Sequence, residues 1–164
     1  MPQSARRVVL GIGNTLNHDE GVGVEAVGRL KALLGARAGI EFVDGGVMGM
    51  NLLILVEECS HLLVLDAADA RRPPGALIEL TREQIPLYAG IKLSQHQITF
   101  QEVLGLANMR GKLPGHLDLI GAQPADLTLG IGLSPVVETA MPGLIEKARA
   151  VIETWGSPAP SVSA

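Results

Sequence analysis

The residues of this chain with the clearest chemical potential are Glu20, Asp44, Asp66 and His96. Two carboxylates and one imidazole leave open coordination positions on a divalent metal. Such an oxygen-and-nitrogen donor set suits zinc, nickel or iron rather than a thiolate-selected metal. A closed structural site would take four protein ligands. An open one polarises a carbonyl, delivers hydroxide, or accepts a metal that already belongs to another molecule.

Each residue also has a plainer reading. Asn17-x-x-Glu20 fits a capping box, with Glu20 reaching back to the Asn17 N–H. Ser94-x-x-Gln97 fits a second one, which puts His96 in a first helical turn. Asp44-Gly45-Gly46 is a strong turn signal. Asp66 follows an apolar run and precedes Ala67-Ala68, so it reads as buried, and a buried carboxylate needs a partner or a metal.

The elements that must carry these residues alternate between short apolar runs and helical patterns. Arg7–Ile12, Ile40–Asp44 and His61–Asp66 read as strands, and Leu117–Ala122 as a last one. Val22, Ala26, Leu30 and Leu33 mark one face of a first helix, and Met50 to Glu58 a second. Strands flanked by such helices imply parallel crossovers. The connection Ala67–Pro74 is too short for a crossover helix, so Ala76–Leu80 is expected to be antiparallel. A helix follows from about Gln95 to Met109, and Ser134-Pro135 opens a terminal helix that Pro142-Gly143 is expected to kink or break. The sum is a three-layer α/β/α sandwich on a mostly parallel sheet of about five strands. Residues 1–155 form one domain and 156–164 a loose tail.

In open parallel sheets, ligands bind outside the carboxyl ends of the strands. Glu20, Asp44, Asp66 and His96 all fall at that edge. His61 and His116 begin strands and belong to the opposite edge, whereas His18, beside the first loop, is a candidate to assist. Competing motifs are weaker. Gly11-x-Gly13 suggests a dinucleotide loop, but Leu16 stands where the third glycine would, and Asp19-Glu20 would repel a pyrophosphate. There is no Gly-x-Ser-x-Gly elbow and no His-Glu-x-x-His. Cys59 lies late in an apolar helical pattern and reads as core.

Composition narrows the partners. The chain has 164 residues, 47% of them apolar and only 2% aromatic, with a formal net charge of −4. That balance gives no electrostatic case for nucleic acid or an anionic membrane. A single cysteine excludes an internal disulfide or a Cys-rich metal centre. With no signal-peptide core and no spanning stretch, a soluble cytoplasmic protein is expected, monomeric by default.

In their order, these residues resemble the maturation endopeptidases of nickel–iron hydrogenases. The resemblance rests on Gly11-Ile-Gly-Asn14 with Asp19-Glu20-Gly21-Val-Gly23, then Asp44-Gly45-Gly46, Leu65-Asp66-Ala67 and Ser94-Gln-His96-Gln97. Ile120-Gly-Ala-Gln123-Pro124 and Leu133-Ser134-Pro135 complete the series, which covers nearly the whole chain. Val47 departs from it, standing where the second motif often carries a threonine. The resemblance implies a helix-sandwiched twisted sheet. It also implies a protease that removes a C-terminal extension from a hydrogenase large-subunit precursor after nickel insertion. Glu20, Asp66 and His96 would contact the metal, nickel supplied by the substrate with zinc or another divalent ion as a surrogate, and Asp44 would handle substrate. A nickel-binding accessory protein without proteolytic activity is the alternative, and a dinucleotide-binding module a third. Whether metal-bound water or a carboxylate base drives hydrolysis stays open at this level.

Overall fold

A computed structural model describes residues 6–35, 39–85 and 100–156. Five strands form one sheet: β1 (Arg6–Ile12), β2 (Ile40–Gly46), β3 (Cys59–Ala67), β4 (Leu77–Thr81) and β5 (His116–Ala122). Their order is β2-β1-β3-β5-β4. All neighbours are parallel except β4 and β5, which run antiparallel as the short connection before β4 requires.

The period of two along each strand sends alternate side chains to opposite faces. Val8, Leu10, Leu62, Val64 and Leu119 face one layer, formed by α2 (Leu53–Glu58) and α3 (Phe100–Met109). Val9, Leu63, Leu65 and Ile120 face the other, formed by α1 (Val22–Leu34) and α4 (Pro135–Thr154). Both faces are therefore buried, which is why β3 reads as a continuous apolar run rather than an alternating one. The three-layer sandwich is the fold expected from the sequence.

Three local expectations change. The second helix is not continuous from Met50. A 3-10 turn at Gly49–Leu52 precedes a six-residue α2. Cys59 leaves the helix with extended backbone and opens β3, where it pairs with Arg6. Its core role stands: burial pushes the thiol up to about 12, and Sγ donates to the Leu55 carbonyl at 3.0 Å. Finally, α4 runs unbroken through Pro142. Met141 and Leu144 on either side are both anchored in the core, so packing holds the helix through the missing donor. The first part of the helix expected from Gln95, and the tail after Gly156, lie outside the described residues.

At the amino edge of the sheet, the His61 and His116 rings stack at 4.2 Å, with Trp155 edge-on to His61 at 5.5 Å. Burial, then the neighbouring His116 and Arg7, lower the His61 pKa from 6.5 to about 4. The unfolded chain therefore takes this proton first, and the His61 contribution to stability is lost as pH falls from about 6.5 to about 4. Urea unfolding across that window should show His61→Gln losing less stability than the native chain. Parallel pH profiles would refute this.

Candidate functional site at the carboxyl edge

Glycine builds this edge. The chain turns after β1 and enters a 3-10 turn at His18–Gly21 that runs directly into α1. The start of α1 sits on the strand ends without a spacer. A Cβ on Gly23 would lie 2.1 Å from the Leu65 carbonyl oxygen and 2.5 Å from that of Ile12. A Cβ on Gly11 would meet the Gly23 carbonyl oxygen at 2.4 Å. These contacts bring the turn bearing Glu20 down onto β3, one residue before Asp66. Gly23→Ala is accordingly expected to destabilise the fold by about 2–4 kcal/mol, because the obstacle is backbone and cannot rotate away. Thermal unfolding measures it, and a melting temperature equal to the native one would disprove the close approach.

Asp66 is fully buried near the end of β3, and its Oδ1 accepts the Ala67 N–H at 2.8 Å. Glu20 is 7% exposed. The 3-10 turn that carries Glu20 packs against β3, so the two carboxylates share one region of the edge. Asp44 stands apart. Asp44 and Leu65 both pair with Gly11, from opposite sides of β1. That places Asp44 about 10 Å across the sheet from Leu65. Asp44 is exposed, and its Oδ1 accepts the Gly46 N–H at 2.9 Å, the turn geometry its sequence allows. His96 lies outside the described residues. Among those described, no group of three His, Cys, Asp or Glu is placed to hold a metal.

Sequence reasoning missed the residue with the densest hydrogen bonding at this edge. Asp19 is fully buried. Its Oδ2 accepts the N–H groups of Ala125 and Asp126, both at 2.9 Å, and the Ser134 hydroxyl at 2.7 Å. Its Oδ1 accepts the Ser134 N–H at 2.7 Å. Asp19 thus clamps the β5–α4 loop onto the first loop. Of the expected caps, Ser94-x-x-Gln97 lies outside the described residues, and the side chains of the other two are redirected. Ser134 holds the N-cap position of α4 but makes no side-chain cap bond, since its hydroxyl serves Asp19. Asn17 likewise does not cap, and its amide donates to the Leu127 carbonyl at 3.2 Å. A bridge between Asn17 and Gly130 adds backbone pairing between the two loops. His18, at φ 47°, places Nδ1 2.9 Å from the Gly132 carbonyl oxygen. It is part of this staple.

Gln123 was a landmark of the resemblance without a stated task. Its Oε1 accepts the N–H groups of Ala70 at 2.8 Å and Arg72 at 3.2 Å, and its Nε2 donates to Asp69 at 3.0 Å. It therefore shapes the loop that leaves Asp66. Between the two stapled loops and α1 lies a cleft of about 180 Å³, lined by Thr15, Gly21, Ile131 and Leu133 and floored by Arg29 between Glu25 and Glu138. Arg29 is held well above its ordinary value by those carboxylates, Glu138 first.

Comparison with known proteins agrees with this fold. The profile of a family described as hydrogenase maturation protease matches residues 24–151. A hydrogenase expression/formation protein of Bradyrhizobium diazoefficiens, HupD, is 40% identical over 156 residues, covering 94% of this chain and 81% of that protein. The hydrogenase 2 maturation protease of Escherichia coli is 34% identical, covering 92% of this chain and 93% of that one. The solved structure of the hydrogenase maturating endopeptidase HybD from Escherichia coli superposes with a TM-score of 0.82 at 33% identity, over 92% of this chain and 94% of that one.

Proposed function

Given that the chain belongs to the hydrogenase maturation protease family, we propose that it removes the C-terminal extension of a nickel–iron hydrogenase large-subunit precursor after nickel has been installed there. The observation that carries this reading is the placing of two buried carboxylates, Glu20 and Asp66, on one stretch of the carboxyl edge. A cleft lined by Thr15, His18 and Gly21 opens on the loop that carries Glu20.

On this reading the nickel arrives with the substrate, and Glu20, Asp66 and His96 dock on it. Carboxylate oxygens and an imidazole nitrogen are a donor set that accepts nickel, with zinc as a laboratory surrogate. Held there, the ion would supply Lewis acidity toward the scissile carbonyl. The chain's own residues supply position. The glycine contacts fix Glu20 over β3, Asp19 locks the neighbouring loop, and Gln123 shapes the exit from Asp66. Asp44, across β1, contacts the substrate chain. The protein works in the cytoplasm, as a monomer. No helix among the described residues is long and apolar enough to cross a membrane.

The test incubates the protein with the precursor, with and without nickel loading, and reads the product by mass spectrometry. A nickel-dependent loss of mass at the C-terminus is the expected result. Nickel-dependent binding with an uncut precursor would replace this reading with that of a metal-recognising accessory protein.

A further inference from the structure

Among the described residues, Arg6, Arg29, Arg110 and Arg149 pair with glutamates, and Arg7 and Arg82 donate to backbone carbonyls. Arg71 and Arg72 do neither. Both are exposed, and neither guanidinium has a hydrogen-bond or ion-pair partner among the described residues. Their place in the fold gives this weight. The described loops 13–21, 47–52, 68–76 and 123–134 each leave a strand at the carboxyl edge. Arg71 and Arg72 are the sole Lys or Arg in all of them, on an edge that also carries Glu20, Asp66 and Asp69. Arg71 follows Asp66 closely in the chain, so their Cα atoms lie within about 18 Å.

The loop that bears the two arginines is fixed as well as exposed. Gln123, 7% exposed, accepts the Ala70 and Arg72 N–H groups through Oε1. Asp69 Oδ1 accepts the Arg71 N–H at 3.1 Å, with Arg71 at φ 57°. A non-glycine residue keeps that left-handed backbone only where its surroundings over-determine it, and such residues gather at binding sites. Pro73-Pro74 then stiffen the chain, and the Gly75 N–H donates to the Gln123 carbonyl at 2.8 Å. A surface arginine that serves solubility alone needs none of this. Two guanidiniums on a preset backbone match a planar anion, and the planar anion of a polypeptide is a carboxylate.

We propose that Arg71 and Arg72 bind a carboxylate of the protein substrate and so set how the precursor lies across Asp66. This rests on the endopeptidase function proposed above and adds a specificity contact to it. The substrate offers that group as an Asp or Glu side chain or as its own C-terminus.

The experiment uses the nickel-loaded precursor and the double variant Arg71→Gln with Arg72→Gln. KM should rise about tenfold with kcat within about threefold, because lost ground-state docking moves KM. Lysine at both positions should recover part of the loss, since it restores charge without the fork. Raising salt from about 0.05 M to about 0.5 M should raise the native KM severalfold and leave that of the glutamine variant nearly unmoved. Melting temperatures should match the native one, because the side chains removed touch nothing. Lys112→Gln, an exposed cation at the amino edge, should change neither KM nor its salt dependence.

Precursor variants name the source. Asn or Gln in place of each Asp or Glu flanking the cleaved bond should raise the native KM, and add little to the arginine variant, where a side chain is the partner. Neutral residues appended to the C-terminus should do the same where the terminal carboxylate is. KM within about twofold of native in the double variant would overturn the proposal and leave the endopeptidase reading in place. So would a raised KM that no precursor carboxylate shares. If the native protein binds the precursor without cutting it, and the double variant weakens that complex about tenfold, the arginine site stands and the endopeptidase reading falls. If it neither binds nor cuts, both fall.

Discussion

Glu20→Gln and Asp66→Asn are each expected to remove processing of the precursor, with kcat/KM falling at least about 100-fold while the melting temperature stays within a few degrees of native. The two substitutions keep shape and hydrogen-bonding capacity and delete charge. Asn at position 66 still offers an oxygen to the Ala67 N–H that Asp66 Oδ1 now accepts at 2.8 Å. What is lost is anionic donation to a metal, which neutral amide oxygens replace poorly. His96→Ala should behave in the same way. Progress curves by mass spectrometry, paired with thermal unfolding of each variant, separate the cases. A variant that cuts normally would remove that residue from the metal-contact set. One that collapses would show that its carboxylate holds the fold instead.

The second large effect is on stability. Asp19→Ala strips the acceptor from three backbone N–H groups and one hydroxyl in a single step. A hydrogen bond to a charged acceptor contributes about 1.5–3 kcal/mol, and water reaches part of the vacated space, so a net loss of about 3–5 kcal/mol is expected. For a domain of this size that corresponds to a fall in melting temperature of about 10 °C. Asp19→Asn should be nearly as damaging, because its NH2 would face donors that now find an oxygen. Calorimetry of both variants checks this. A loss below about 1 kcal/mol would mean that the β5–α4 loop holds itself in place.

The architecture was legible because it is written in local pattern. The apolar run before Asp66 could only be a strand buried on both faces, and the connection before β4 was too short for anything but an antiparallel return. Asp66 was legible for the same reason, since apolar neighbours on both sides left it nowhere to go but inside. Ser134 does stand at the N-cap position with Pro135 behind it, but neither its side chain nor that of Asn17 makes the cap bond, because both found partners far along the chain. Asp19 was missed on the same ground. Its partners are mostly backbone N–H groups, which every residue type possesses, so no spacing of side chains encodes them. The one available signal was a second carboxylate directly beside Glu20, too buried a position for an unpaired charge. Asp44 shows the opposite limit. Its Asp-Gly-Gly turn chemistry was read correctly, and a turn is a local feature that names no partner for the side chain beyond the Gly46 N–H.

The Asp19 clamp joins residues 106 to 115 positions apart. Closing so long a loop is entropically slow, and the contacts that reward it form only after the strands between have paired. The clamped loop next to Glu20 is therefore expected to form among the last features as the chain folds. A fragment, a nascent chain or a locally unfolded molecule has the carboxylates but not the loop that Asp19 clamps beside them. Competence to cut is thereby tied to completion of the fold, which spares the cell a half-made protease.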